Sequence, residues 1–139
     1  METALHIALL VTSLGGLVLS LYLTVLFRRV QYGEPVNCPD ASCLAVMRTP
    51  YGRALGFPNW ILAVPFYSIL VGFAVLRLLG YADWLVGYVA LVVAVACMMS
   101  VYLVYSLLVT LKQSCPLCML GHSINALLGV VIAIDLLAR

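Results

Sequence analysis

The chain has 139 residues, of which 65% are hydrophobic and only 9% charged, and its mean hydropathy is +1.18. That leaves too little polar surface to cover a soluble domain of this size, so the composition excludes a small water-soluble core. A net charge of +2 spread over short connections and helix ends, without a basic cluster, sets nucleic acid aside as a partner.

The hydropathy pattern predicts an all-α integral membrane protein: one domain over 1–139, built as a four-transmembrane-helix bundle with a long first loop carrying a short surface helix. The spans are read at 4–27, 57–79, 84–111 and 116–138, each with about the 20 residues a helix needs to cross ~30 Å of hydrocarbon. No Lys or Arg precedes the first block, which is too long for a signal core and lacks an Ala-x-Ala-like site, so it reads as a retained span. His6, near its start, reads as an interface residue on the face away from the cysteines. The loop 28–56 holds most of the polar content and is the candidate working part. It opens on a turn-rich stretch, Gln31-Tyr32-Gly33-Glu34-Pro35. A short helix comes next, running to Met47 and capped by Asn37 or, if it begins later, by Asp40. Its Leu44, Val46 and Met47 are expected to face lipid or the bundle. Thr49-Pro50-Tyr51-Gly52 ends it, and Leu55-Gly56-Phe57-Pro58 leads into the second span. The stretch from Gly80 to Asp83 allows only a tight turn. Arg77 and Asp135 lie near span ends, where side chains can reach the interface.

Cysteine placement carries the chemistry. Cys38 and Cys43 lie in the long loop, and Cys115 and Cys118 form a Ser-Cys-Pro-Leu-Cys motif where the last block begins. With four spans, the first and third connections share one side of the membrane, so the two pairs face each other across one surface. That arrangement suits a thiol relay. Ser114 is placed to cap the last helix and Pro116 fits its first turn, which puts Cys115 at the helix N-terminus, where the dipole favours a thiolate. A disulfide between Cys38 and Cys43 closes too small a ring to contribute much as a staple, which favours exchange. Two other readings stand beside the relay: a non-catalytic zinc site of all four thiolates, and a structural scaffold. Cys97 lies about 20 Å along its helix from the Lys112 end and reads as a small apolar core residue. Cys97-Met98-Met99 point in different directions, as successive helical residues do, which argues against a metal role. His122 lies one turn beyond Cys118, on the same stripe.

The two loop cysteines, Tyr51-Gly52, Gly56-Phe57-Pro58-Asn59, and the Ser-Cys-Pro-Leu-Cys with Ile124-Asn125 after it together resemble the vitamin K epoxide reductase family, in its small stand-alone prokaryotic form. The resemblance covers nearly the whole chain. It implies four membrane helices around a quinone pocket beneath the loop, with electrons entering at the loop pair, passing to the CxxC and leaving on the quinone. By the same resemblance Cys38 meets the outside partner, Cys43 exchanges with Cys115, and Cys118 lies next to the quinone. Asn59 matches a residue that hydrogen-bonds one quinone carbonyl, and His122 stands where vertebrate members carry a tyrosine that bonds the other. The resemblance thus implies an enzyme without a metal, oxidising the dithiol of a thioredoxin-like protein and reducing the quinone pool, of ubiquinone, menaquinone or vitamin K type. That partner is expected to be a separate protein, because no fused thioredoxin-like domain follows Arg139. Reduction of vitamin K epoxide itself is the second reading within the enzyme class.

The expected location is the cell membrane, multi-pass and in contact with lipid. The cysteine face carries Arg28, Arg29, Arg48, Arg53 and Lys112 against Arg77 and Arg139 on the other, so the charge count places the redox face in the cytoplasm. The resemblance implies the extracytoplasmic side by default, with inverted archaeal members as the exception.

Overall fold

The computed structural model describes residues 1–35, 41–54 and 56–138. In chain order the elements are α1 (Glu2–Gln31), α2 (Ala41–Met47), a 3-10 turn (Pro50–Gly52), β1 (Arg53–Ala54), β2 (Phe57–Pro58), α3 (Asn59–Leu78), a 3-10 turn (Asp83–Leu85), α4 (Val86–Tyr105), a π-helical turn (Ser106–Thr110) and α5 (Pro116–Leu137). The all-α expectation holds except for the β1–β2 hairpin, which pairs Arg53 with Pro58 and Ala54 with Phe57. Among the described residues four helical stretches are long and apolar enough to cross a membrane: Glu2–Gln31, Asn59–Leu78, Asp83–Thr110 and Pro116–Leu137. The first runs past its expected end at 27 because Arg28 and Arg29 remain helical, their charges complementing the C-terminal end of the dipole.

In the bundle α1 lies along α3 and α5, and α4 lies along α5. Water provides no driving force between helices inside a bilayer, so close approach rests on small residues and shape. At Gly16 a side chain would collide with the Tyr67 ring, and a Cβ at Gly129 would sit 2.9 Å from Cys97 Sγ. Leu9, Tyr67, Leu70, Val93 and Leu128 fill the core. The opposite faces, with Val11, Val18, Ile69, Leu91, Val101 and Val130, are exposed and apolar, as lipid contact requires. Gly80 ends α3 at φ +79. Its N–H bonds the Arg77 carbonyl and the Tyr81 N–H reaches Leu76, so the orphan carbonyls of the last turn are satisfied before the short crossing to α4.

Arg77 and Asp135 do not reach out to the interface. They are 5% and 6% exposed, and Arg77 Nη2 donates to both carboxylate oxygens of Asp135 at 3.0 and 3.1 Å. The other terminal nitrogen, Nη1, pairs with Asp83, while Nε has no partner among the described residues. His6 is likewise drawn inward, accepting from Arg77 at 2.8 Å through Nε2. A guanidinium only donates, so His6 Nε2 takes the acceptor role in that contact. The cluster therefore joins α1, α3, α5 and the α3–α4 turn at the end of the bundle away from the cysteines. The sequence reading sent these side chains outward because it had no way to see that they meet. An unpaired charge inside the bundle costs more than a paired one, and removing one partner of a buried pair typically costs about 3–5 kcal/mol.

Candidate active site beneath the loop helix

α2 is two-sided. Cys43 and Val46, three residues apart and so on one face, pack with Leu107 and Cys115. Met47 turns instead to Leu26 of α1 and Trp60 of α3, and Trp60 stacks obliquely on Phe27 with ring centres 5.0 Å apart. Of the three apolar residues expected to face lipid or the bundle, Val46 and Met47 go to the bundle and Leu44 is half-buried. The π-helical turn at the end of α4 brings the buried Leu107 into the same cluster as the sulfurs. Asn37, Asp40 and Cys38 lie outside the described residues, so the capping and shuttle assignments made for them stay expectations.

Cys43 and Cys115, 72 residues apart in the chain, have their sulfurs 2.9 Å apart, and each residue is 1% exposed. Cys115, not Ser114, is the N-cap of α5: its sulfur accepts the Cys118 N–H at 3.3 Å, and Pro116 occupies the first turn as expected. A sulfur at this position takes the capping role that a hydroxyl usually fills. The expected ease of ionisation is reversed, however. The neighbouring Cys118 sulfur, and then burial, push the Cys115 thiol well above its ordinary range, while the contact with Cys43 and the Cys118 N–H pull the other way. A helix N-terminus lowers a thiol only when no second sulfur and no apolar wall oppose it.

Beneath α2 opens a cavity of about 320 Å³, within the usual range for small-molecule sites. Val46, Tyr51 and Gly52 roof it; Leu19, Leu23, Trp60, Ala63, Phe66, Met99, Leu103, Leu107 and Leu117 form its walls. Asn59, Cys118 and His122 all line it, so these three sequence-predicted residues share one chamber. The Asn59 amide donates to the Tyr51 carbonyl at 3.1 Å, tying the start of α3 to the roof. Cys97 is half-buried lower in the bundle and donates to the Asn125 carbonyl at 3.2 Å, away from the other sulfurs. The sequence reading missed a polar chain in the cavity wall: Tyr67 donates to Asn125 Oδ1 at 2.6 Å and Asn125 Nδ2 donates to Ser100 at 2.8 Å. Asn125 was visible as a second amide at membrane depth, which needs partners as Asn59 does; Tyr67 and Ser100 gave no signal of their own.

Two residues that line the cavity, His122 and Trp60, each have a buried ring nitrogen, Nδ1 and Nε1, with no hydrogen-bond partner among the described residues. A mostly apolar chamber with a few unsatisfied polar atoms fits a flat, largely hydrophobic ligand carrying one or two oxygens, and a quinone has that chemistry. Among the described residues no group of three or more His, Cys, Asp or Glu side chains is arranged to hold a metal ion. The model of the vitamin K epoxide reductase family matches residues 7–133. The chain belongs to that family. Direct comparison with curated proteins gave no match. The family is one of membrane oxidoreductases acting with quinones or vitamin K, and the four apolar helices make this member a multi-pass membrane protein.

The raised Cys115 thiol gives a pH dependence whose sign is fixed by its cause. In the reduced protein Cys115 should alkylate slowly at neutral pH and faster as the pH climbs into the alkaline range. Cys118→Ala removes the largest upward push, so its Cys115 rate profile should move to lower pH. The check is the iodoacetamide labelling rate of Cys115 by peptide mass analysis between about pH 6 and 10, the range over which thiols ordinarily titrate. A profile that stays in place or moves upward contradicts the stated cause.

Proposed function

We propose that this protein is a quinone-dependent thiol oxidoreductase that drives disulfide formation in other proteins through a separate thioredoxin-like carrier. The observation that carries the reading is the 2.9 Å approach of Cys43, on the loop helix, to Cys115 at the head of α5, with Cys118 of the same CxxC lining the cavity. A carrier thiolate attacks Cys38 of a Cys38–Cys43 disulfide, forming a mixed disulfide and releasing the Cys43 thiolate. Cys43 attacks Cys115 and breaks the Cys115–Cys118 bond, releasing the Cys118 thiolate. The second carrier thiol then resolves the bond to Cys38, and the freed Cys38 attacks Cys43, restoring the loop disulfide and releasing Cys115. The carrier leaves oxidised, and the two electrons rest on the CxxC dithiol. A quinone in the cavity supplies the sink, accepting two electrons and two protons as Cys115–Cys118 closes again. Asn59 and His122 would hold its ring oxygens, and the apolar wall keeps water from the cavity-lining Cys118.

The test is quinone reduction by single-cysteine variants. Cys115→Ala and Cys118→Ala should fall to the uncatalysed rate with every reductant. Cys38→Ala should lose turnover with a thioredoxin-like protein but keep part of it with a small dithiol that reaches the CxxC directly, and Cys97→Ala should stay active. Full activity of Cys118→Ala would overturn the mechanism.

We also infer that the redox face is cytoplasmic. Arg28, Arg29, Arg48, Arg53 and Lys112 lie at that end, whereas Arg77 at the other end is neutralised in its ion pairs. Cytoplasmic disulfides are abundant in some hyperthermophiles, so such an orientation has a use. A membrane-impermeant maleimide added to intact cells should leave Cys38 unlabelled until the cells are opened; rapid labelling from outside refutes the orientation.

A further inference from the structure

Hydroxyl groups inside a membrane bundle usually spend their hydrogen on their own helix. Thr12, Ser20, Thr24, Ser68, Ser106 and Ser123 all do so, each donating to the carbonyl four residues earlier. Ser100 on α4 does not. It is 7% exposed, lines the cavity, and accepts from Asn125 Nδ2 at 2.8 Å. Asn125 is held in that orientation from behind, because its Oδ1 accepts the Tyr67 hydroxyl at 2.6 Å. The chain of bonds runs in one direction: Tyr67 to Asn125, Asn125 to Ser100. At its end the Ser100 hydroxyl has an acceptor position filled and, among the described residues, its own hydrogen still to give.

That hydrogen has a place to go. Tyr67 has spent its proton on Asn125, and Ser20, which also lines the cavity, has spent its own on Gly16. Asn125 lies seven residues beyond Cys118 on α5, about 10 Å further from the loop at 1.5 Å per residue. The network therefore marks the inner end of the chamber, while Asn59 and Cys118 mark the end beneath α2. A buried hydroxyl without an acceptor loses free energy, and an acceptor offered at that spot recovers it.

We propose that Ser100 donates a second hydrogen bond, beside His122, to the quinone ring oxygen farther from α2, with Tyr67 and Asn125 as positioning residues that fix its direction. This rests on the quinone reading above and adds to it a polar binding group on α4, whose Met99 and Leu103 otherwise supply only apolar wall. The chemical consequence is selectivity for a ring bearing two oxygens on opposite sides, one for each end of the chamber.

The experiment measures binding as well as turnover. Trp60 lines the cavity and is one of two tryptophans; the other, Trp84, is 75% exposed, so Trp84→Phe leaves Trp60 as the reporter. Titrating that background with 2-methyl-1,4-naphthoquinone should quench Trp60, and adding Ser100→Ala should raise the Kd roughly five- to tenfold, the size expected for one neutral hydrogen bond. KM for the quinone should rise in parallel, with a much smaller change in kcat. Ser100→Thr, which keeps a hydroxyl, should restore most of the affinity. Tyr67→Phe should cost about threefold alone and nothing further when combined with Ser100→Ala, as coupled members of one chain do. Thermal unfolding of each variant in detergent reports whether the fold is intact. Equal Kd values for Ser100→Ala and its parent, or a loss confined to Tyr67→Phe, overturn the assignment to Ser100 while leaving the quinone reading in place. No quench and no quinone reduction in the parent overturn both.

Discussion

One sulfur sets the constraint on which this site depends. Cys115 must close the N-terminus of α5, touch a cysteine from a different part of the chain and stand beside the cavity-lining Cys118, all within a few ångströms. Its sulfur accepts the Cys118 N–H at 3.3 Å and lies 2.9 Å from Cys43. For both contacts to hold, α2 has to be pinned over the head of α5, and the surrounding structure does this. Val46 packs one side of α2 against Leu107, Met47 anchors the other against Leu26 and Trp60, and the Asn59 bond to Tyr51 fastens the returning chain to α3.

Burying the exchange has a cost and a use. The second sulfur and the apolar wall push the Cys115 thiol upward, which disfavours its thiolate. The same wall keeps solvent and stray thiols from Cys43 and Cys115, each 1% exposed, which in the proposed relay would confine exchange to the partner already in contact. At the far end of the bundle the Arg77–Asp135–His6–Asp83 cluster does a different job. It ties three of the four long helices together where no apolar side chain could give the same direction of contact. The cavity between these two fixed ends is then free to be lined for a ligand.

Much of this was legible in the residues. Hydropathy alone placed four spans within a few residues of their observed ends, because a helix in lipid has one length to satisfy. Pro116 marked the start of α5, and the offset of four from Cys118 put His122 on the same stripe, where it lines the same cavity as Asn59. What was hidden depends on contacts between distant segments. Nothing in the sequence says that Arg77 meets Asp135 rather than water, that Cys115 displaces Ser114 as the cap, or that Tyr67 and Ser100 share Asn125. Periodicity gives the face of a helix, but the partner on that face comes only from packing. The thiol of Cys115 shows the same limit: helix position argued for easy ionisation, and a neighbouring sulfur with a dry environment decided otherwise.

The proposed relay turns on communication between the loop pair and the CxxC through Cys43 and Cys115. Trapping tests it most directly, since a mixed disulfide accumulates when the thiol that would resolve or compete for it is missing. In a Cys118→Ser protein, peptide mapping under non-reducing conditions should find Cys43 joined to Cys115. A Cys118→Ser protein in which Cys43 is bonded to Cys38 alone, with Cys115 left as a thiol, would contradict the relay.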